Sequence, residues 1–428
     1  MRMRYYLDSL GCRLNRSEME KLARQLAGRG CELVLDPAAA DVSVLNTCAV
    51  TQDAERKSRR RARQIYRANP SGELVLTGCY ATLAPAETAR LPGVARVVGN
   101  GDKEQLVALL EPELLETGAA FAGRLPGGRT RAFVKVQDGC DSRCTYCATT
   151  VARGPAISRS PGEVVAEIRA LETAGYMEAV LTGVQLGSYG RGSLHGGLHE
   201  LVATILRETG IPRIRLSSLG PWDLQEKFFE LWADERLCRQ LHLPLQSGSA
   251  EILRRMGRQT TPEGFKKLAR TALDAIPDLA LTTDMIVGFP GETEADFQAS
   301  MALVEELDFA RLHVFRFSPR PGTAATRMND GVARRAVQAR SHALRQVATE
   351  KQKRFLARFA GRTLPVLWES AEEPNNGQTR WRGHSGNYIA VTAASGEDLQ
   401  NRITPTRLVR TRGDHMDGVV QIGVRHHS

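Results

Sequence analysis

The sequence predicts an α/β protein in three parts: an N-terminal doubly wound parallel sheet, a central partial (βα)6 barrel and a small C-terminal β-barrel. Three observations carry this. Over roughly the first hundred residues, apolar runs of strand length alternate with helical patterns, the signature of parallel strands joined by crossover helices. From about Arg131 to Asp330 the same unit recurs six times, short of the eight that close a full barrel. From Gly361 onward, short β-rich runs are broken by Gly, Asn and Asp turns, a pattern that suits a small barrel. The 428 residues leave room for two or three domains. The expected limits are residues 1–118, 126–358 and 361–428.

In the first part, strands are expected at Tyr5–Leu7, Leu33–Leu35, Val42–Leu45, Leu74–Leu76 and Val94–Val98. Helices are expected over Glu18–Ala27 and Glu55–Arg67. Ligands of such sheets gather beyond the carboxyl ends of the strands. Cys12, Cys48 and Cys79 each directly follow a strand, so all three belong to that edge. Two readings stand: three thiolates converging on a metal cluster with one open iron, or three unrelated buried cysteines. Cys31 precedes a strand, on the opposite edge, and reads as a small core residue.

In the second part, strands are expected at Phe133–Val136, Ala179–Thr182, Ile214–Ser217, Leu241–Leu245, Leu281–Val287 and Leu312–Phe317. The helices between them are Pro161–Ala174, His199–Thr209, Leu224–Leu237, Ala250–Met256 with Pro262–Ala275, and Glu294–Leu307. Barrel active sites lie at the carboxyl ends of the strands. Cys238 ends a helix on the outside and is a poor ligand candidate. A basic helix over Ala333–Phe359 reads as a connector packed on the barrel.

The last part has strand-like runs at Leu364–Glu369, Asn387–Thr392, Arg407–Thr411 and Gly418–Ile422. Arg380, Trp381, Arg382 and Tyr388 mix basic and aromatic groups. Such a mixture stacks bases and binds phosphates, or supplies the core of the barrel.

The first strand of the second part leads into Cys140-Asp141-Ser142-Arg143-Cys144-Thr145-Tyr146-Cys147. Three thiolates in one loop hold three corners of a [4Fe–4S] cluster and leave one iron open. Zinc prefers four ligands in paired spacing, and no fourth cysteine lies nearby. The softness of three thiolates at this spacing favours iron–sulfur.

Composition sets further bounds. No run of eighteen apolar residues is present, so no transmembrane helix and no membrane partner are expected. The first residues lack an apolar signal core, which points to a cytoplasmic protein. There the eight cysteines read as ligands or core residues, not disulfides. Net charge is +10, from 58 Lys and Arg against 48 Asp and Glu. A dense basic run spans Arg56 to Arg63. It is either a solvated helix face or a phosphate contact.

The cysteine loop resembles that of the radical S-adenosylmethionine (SAM) superfamily. Nearly the whole chain resembles one family within it, the radical SAM tRNA methylthiotransferases. The resemblance rests on Ser9-Leu10-Gly11-Cys12-Arg13-Leu14-Asn15, Asn46-Thr47-Cys48-Ala49-Val50-Thr51 and Thr77-Gly78-Cys79-Tyr80-Ala81. It continues in Asp138-Gly139-Cys140, the run Leu243 to Ser249, the run Asp284 to Thr293, and Phe317-Ser318-Pro319-Arg320-Pro321-Gly322-Thr323. Gly386-Asn387-Tyr388 resembles part of the RNA-binding TRAM barrel. Lys57-Ser58-Arg59 after the Cys48 motif, and Leu181-Thr182-Gly183-Val184 with Tyr189-Gly190, resemble the subgroup acting on N6-threonylcarbamoyladenosine. Thr150 departs from the proline usual three residues after the last cysteine.

The resemblance implies methylthio transfer to C2 of threonylcarbamoyladenosine at position 37, in the anticodon stem-loop of tRNA. Neighbouring activities in the family act on isopentenyladenosine or on a ribosomal-protein aspartate. A reading from a different class is an iron–sulfur RNA-binding protein without catalysis. C2 of adenine carries a C–H bond that no base near neutral pH removes usefully, so radical hydrogen abstraction suits the task. Two [4Fe–4S] clusters are implied, one on Cys140, Cys144 and Cys147 that cleaves SAM, and one on Cys12, Cys48 and Cys79 that presents sulfur. An electron-donor protein such as flavodoxin or ferredoxin is implied as well. Implied SAM contacts are Tyr146, Gly183, Gln185, Ser217, Ser218, Gln246, Ile286, Val287 and Gly288, all at the barrel mouth. Asp284 and Arg153 are candidates for positioning SAM or substrate. His195 and His199 flank a glycine pair and read as loop histidines before metal ligands.

Overall fold

A computed structural model describes residues 2–111, 130–375 and 378–421. The expected junction between the first two parts, at 118 and 126, lies outside the described residues, as does Ile422.

The first part is a five-stranded parallel sheet in the order β2-β1-β3-β4-β5. Its strands are β1 Arg4–Ser9, β2 Glu32–Val34, β3 Val42–Thr47, β4 Glu73–Gly78 and β5 Val94–Val98. The helices are α1 Arg13–Gly28, α2 Gln52–Ala68, α3 Cys79–Leu83, α4 Pro85–Ala89 and α5 Leu106–Leu110. β3 is buried throughout, as the central strand of a sheet covered on both faces must be. One core lies between the sheet and α1 with α5, and a second lies on the face that α2 covers.

The second part places six parallel strands in chain order around a partial barrel. They are β6 Arg131–Lys135, β9 Glu178–Thr182, β10 Ile214–Leu216, β11 Gln240–His242, β12 Ala280–Val287 and β13 Arg311–Arg316. β6, β9 and β10 form one ladder and β11, β12 and β13 another. Parallel bridges Ile214–Leu237 and Ser218–His242 join them. A two-residue ladder of β7 Gln137–Asp138 with β8 Ile157–Ser158 flanks the cysteine loop. The short α6 Thr149–Arg153 follows the cysteine loop and packs Ala152 beside Cys79 and Tyr80 of the first part. Outside lie α7 Pro161–Thr173, α8 Leu198–Glu208, α9 Ala250–Arg255, α10 Pro262–Ala275 and α11 Glu294–Glu306. The largest apolar core fills the space between these helices and the strands.

Three expectations are corrected here. The fourth strand ends at His242, not Leu245, because Pro244 has no N–H to donate. Pairing continues irregularly, with Leu245 N donating to the Thr283 hydroxyl (3.1 Å) and Gln246 N to the Asp284 carbonyl (2.8 Å). The helix expected over Leu224–Leu237 is a 3-10 helix over Glu226–Ala233. Its three-residue turn sets Phe229 above Trp232, both buried in the core. Cys238 is not outside but 3% exposed, with its Sγ 4.0 Å from Glu178.

Helix α12, Arg334–Ala357, packs Leu344 into the barrel core, and its Arg345 donates to the Val314 carbonyl on β13 (3.0 Å). Its last turn delivers Phe355 and Leu356, and the turn after it Phe359, to the core of the third part. That part is a closed barrel ordered β14-β15-β16-β18-β17. The strands are β14 Thr363–Asn375, β15 Gln378–Ser385, β16 Ala390–Ser395, β17 Ile403–Arg412 and β18 His415–Val420. β15 was not expected, because arginines and other polar residues dominate it and only Trp381, Gly383 and Ser385 are buried. Trp381 is thus a core residue, 5% exposed. The strand expected from Asn387 begins at Ala390, because Tyr388 has φ 64° and closes a turn back to Ser385.

All three parts meet at Tyr388. The guanidinium groups of Arg13, Arg131 and Arg215 lie 5.6, 5.4 and 4.6 Å from its ring centroid. Arg215 is fully buried and pairs with Glu178 at 2.7 Å. It also donates to the Gly386 carbonyl at 3.1 Å. Removing one partner of a buried pair strands the other charge. Arg215→Ala is therefore expected to destabilise the protein by about 3–5 kcal/mol, read as a lowered midpoint in urea unfolding.

No helix among the described residues is long and apolar enough to cross a membrane.

Candidate active site between two cysteine triads

Cys12 is the N-cap of α1, Cys48 follows β3, and Cys79 opens α3 directly after β4. The sheet order β1-β3-β4 makes these three strand ends neighbours, so residues far apart in sequence converge. Each loop is fixed locally. Gly11 and Gly78 both have φ 96°. A Cβ at Gly11 would stand 2.6 Å from the Cys48 Sγ, and one at Gly78 2.3 Å from Asn46 Oδ1. Ser58 of α2 takes the Cys48 N–H and donates to the Cys48 carbonyl, both at 3.1 Å. Asn15 donates to the carbonyls of Leu10 (2.8 Å) and Thr47 (3.1 Å), and its Oδ1 accepts from Cys12 Sγ (3.5 Å). Thr47 bridges to the Thr77 carbonyl (2.6 Å), and Asn100 donates to Cys79 Sγ (3.8 Å).

Burial pushes the Cys48 thiol up to about 11 and raises that of Cys12, while the charge of Arg153 opposes both shifts. Cys12 nevertheless keeps a solvent-accessible surface. Negative charge on the other thiols of the triad raises the two pKa values further. A metal or cluster bound by the three sulfurs would stabilise them as thiolates there.

The second triad sits beyond β6. Gly139, at φ 64°, lets the chain pass under Pro155, whose carbonyl would lie 1.8 Å from an added Cβ. Thr145 fastens the loop to the end of α9, donating its N–H to Met256 O and its hydroxyl to Arg255 O, both at 2.9 Å. Backbone N–H groups of Ser142 and Thr149 point at the sulfurs of Cys140 and Cys147, each at 3.4 Å. Arg258 approaches Cys144 Sγ (3.9 Å) and lies 4.4 Å over the Trp222 ring. Burial raises the Cys144 thiol, and Arg258 offsets part of the rise. Thr150, the departure from the family pattern, stands in α6 with its hydroxyl 3.4 Å from the Cys147 carbonyl.

Arg153 ties the two triads together. It is buried and donates to Asn15 Oδ1 (2.7 Å), Glu18 Oε1 (2.9 Å) and Asp138 Oδ1 (2.8 Å). It thus spans from the Cys12 loop to the residue pair before Cys140. Arg320 makes a second stitch, pairing with Glu55 of α2, while Gln52 N donates to Ser318 Oγ (3.3 Å).

A cavity of about 180 Å³ lies beside Cys147 and the segment that follows Cys48. Tyr146, Cys147, Gln246, Asp284, Ile286, Phe315 and Phe317 of the second part line it together with Val50 and Thr51 of the first. It adjoins a cleft of about 1060 Å³ walled by Gly11, Cys48, Arg56, Lys57, Gly288, Arg316, Arg334 and Arg345. The basic run on α2 is therefore divided. Arg56 and Lys57 face the cleft, whereas Arg59 pairs with Glu87 (3.0 Å) and Arg61 with Asp8 (2.6 Å).

The expected SAM contacts fall in different places. Tyr146, Gln246 and Ile286 line the small cavity, with Gln246 held at φ 81° and Tyr146 edge-on to Phe289 at 6.4 Å. The Ser217 hydroxyl, at the end of β10, is buried with no partner. Such an orphan suits a ligand hydroxyl or carboxylate. Ser218 bridges to His242 through the backbone. Gly183 packs on Gln137, and Gln185 is held by Asp223 (2.8 Å) and by Gln137 (3.0 Å). Gly288 lines the cleft and donates its N–H to Glu292 (2.7 Å). Val287 is a correction: its side chain is buried in the helix-side core, 1% exposed, so only its backbone faces the mouth. Alternation along β12 requires this once Ile286 points inward.

Sequence reading missed Arg258, Trp222, Arg320 and the inward-facing His242 and His313. The alternation Leu241-His242-Leu243 and Leu312-His313-Val314 carried the signal for the histidines. Among the described residues, His242, Asp284 and His313 form a ligand-capable group, and neither His195 nor His199 belongs to it.

The residues fit the groups expected of them: two sets of three free thiols, N–H donors aimed at sulfur, and an orphaned hydroxyl at the mouth. Comparisons with known proteins agree. Residues 134–304 match the Radical SAM superfamily, and residues 4–99 match the "Uncharacterized protein family UPF0004". The threonylcarbamoyladenosine tRNA methylthiotransferase MtaB of Thermotoga maritima is 39% identical, over 85% of this chain and 86% of its own length. MtaB of Bacillus subtilis is 34% identical over 96% and 94%. A tRNA-2-methylthio-N(6)-dimethylallyladenosine synthase of Parafrankia is 33% identical over 99% and 88%. Among solved structures, the radical SAM methyltransferase TsrM of Kitasatospora setae, described with cobalamin and a [4Fe–4S] cluster, has a TM-score of 0.56. It is 17% identical, over 76% of this chain and 77% of that one, and shares the fold alone. With both cysteine triads in place and relatives matched over most of its length, the chain belongs to the radical SAM methylthiotransferases, enzymes that use SAM and carry two [4Fe–4S] clusters.

Proposed function

We propose that this protein adds a methylthio group to C2 of N6-threonylcarbamoyladenosine at position 37 of tRNA. One observation carries the reading: a single small cavity is lined both by Cys147 of the second triad and by Val50 and Thr51, which follow Cys48 of the first. When bound, the clusters supply the electron that cleaves SAM and the iron that presents the sulfur.

The chain's own residues supply the rest. Cys140, Cys144 and Cys147 hold the SAM-cleaving cluster, and Cys12, Cys48 and Cys79 the sulfur-presenting one. Ser217 and Gln246 orient SAM, and Tyr146 with Ile286 packs its adenine. Arg153 balances thiolate charge between the loops. Phe315 and Phe317 offer apolar faces to a purine. The basic cleft and the exposed Arg382, Arg407 and Arg412 of the third part attract the phosphates of the anticodon stem-loop. A flavodoxin- or ferredoxin-type protein delivers the electron, and the enzyme works in the cytoplasm. The domain limits are those expected, 1–118, 126–358 and 361–428.

Nucleoside mass spectrometry of tRNA from a strain lacking the gene tests the assignment. The 2-methylthio group on threonylcarbamoyladenosine should be absent and should return with the gene. Unchanged levels, or loss from isopentenyladenosine instead, would overturn it.

A further inference from the structure

The interior face of the β11-β12-β13 ladder is unusually polar for a barrel lumen. Leu241, Leu243, Met285, Val287, Leu312 and Val314 turn into the core. His242, Asp284 and His313 occupy the opposite face. His313 pairs in register with Asp284, and His242 with Thr282. His242 Nε2 is 3.3 Å from Asp284 Oδ2, and its Nδ1 is 2.9 Å from Thr282 Oγ1. That second contact fixes the ring so that Nε2 faces Asp284. The two imidazoles lie 5.8 Å apart at 66°. One polar atom from each of the three residues lies within 4.8 Å of the others.

Asp284 also lines the small cavity, whose wall is otherwise largely apolar or uncharged apart from Arg316. The group is therefore continuous with the place where the proposed reaction brings C2 of the adenine. None of these three residues is needed to hold a cluster. Burial lowers the pKa of His313, Asp284 opposes that, and the charges of His242, Arg311 and Arg13 add to it, which favours the neutral ring. A neutral ring offers one donor and one acceptor.

We propose that His242, Asp284 and His313 form a subsite that reads the N6 substituent of the substrate adenosine. The inference rests on the functional reading above. The substituent leaves the purine at C6, on the other side of N1 from the reacting C2. A purine placed for reaction in the cavity carries that group along its wall. A threonylcarbamoyl group presents ureido N–H groups, a carbonyl, a hydroxyl and a carboxylate. Asp284 accepts from the ureido or hydroxyl donors. The His313 imidazole N–H donates to the carbonyl or carboxylate, whose charge Arg13, Arg311 and Arg316 offset, and His242 holds Asp284 in place. A hydrocarbon substituent offers no partner to His313 or to the remaining acceptor positions of Asp284, which a site built to hydrogen-bond rejects strongly.

The test compares anticodon stem-loops carrying threonylcarbamoyladenosine, dimethylallyladenosine or plain adenosine at the same position. Each is assayed by mass spectrometry with the cluster-loaded wild type, His313→Phe and Asp284→Asn. Iron content and circular dichroism establish that each variant is loaded and folded. Wild type should prefer the threonylcarbamoyl RNA. Each variant should lose about tenfold to a hundredfold in kcat/KM for that RNA, with a smaller loss on the other two, so that the preference collapses. A wild type without this preference would overturn the functional reading itself. A preference kept intact in both variants would overturn the subsite alone. So would one equivalent of non-cluster metal, measured by elemental analysis and lost in His313→Phe, because the group would then be a metal site.

Discussion

Replacing Cys140, Cys144 and Cys147 together by alanine should abolish SAM cleavage and remove about half of the roughly eight irons that two [4Fe–4S] clusters contribute. These thiols are free and stand in one loop, with N–H groups of Ser142 and Thr149 directed at two of the sulfurs. Of the other described cysteines, Cys12, Cys48 and Cys79 make up the first triad, Cys238 is buried against Glu178, and Cys31 lies against Glu111 at 3.7 Å. The loop itself should keep its course, because Thr145 is fastened to Met256 and Arg255, and Ala325 N donates to the Thr145 carbonyl (2.8 Å). Iron analysis and chromatography of 5′-deoxyadenosine after anaerobic reconstitution read the result. Unchanged iron would exclude this loop as a cluster site.

Cys79→Ala is expected to divide the reaction in two. Cys79 is 6% exposed and packs with Ala49, Tyr80 and Ala152 in a small apolar cluster. Loss of its sulfur leaves the SAM-cleaving triad untouched, so 5′-deoxyadenosine should still form. Methylthiolated tRNA should fall below detection, because the cluster that presents the sulfur lacks one of its three holders. Part of the domain's stability is also lost with a link between three strand ends, so circular dichroism must first show a folded variant. A folded, normally active Cys79→Ala enzyme would sink the sulfur-presenting role of this triad.

The sequence was informative wherever chemistry depends on local spacing or on strand–helix order. The Cys140 loop is complete within eight residues, and its ligand set needed no fold to be read. The strand-end rule placed Cys12, Cys48 and Cys79 on one edge, since alternating strands and helices force parallel strands whose carboxyl ends share a side. The five N-terminal strands and six barrel strands were legible for the same reason. Strand ends were less so: Pro244 shortened β11, and the polar run of β15 hid a strand that the closed barrel stabilises through neighbours on both sides.

Only the tertiary structure decided what stands between the triads. Arg153 and Glu18 are 135 residues apart in sequence and meet at 2.9 Å, because α1 lies against the open side of the barrel. Tyr388 could not be identified as an interdomain anchor from its own segment, since the guanidiniums around it come from two other parts of the chain. His242, Asp284 and His313 become one group only when β11, β12 and β13 align in register. Local pattern fixes which face a side chain takes, because that depends on backbone geometry of period two. Which faces then meet depends on strand register and domain docking, and these are set by long-range packing and buried charge that no short stretch of sequence contains.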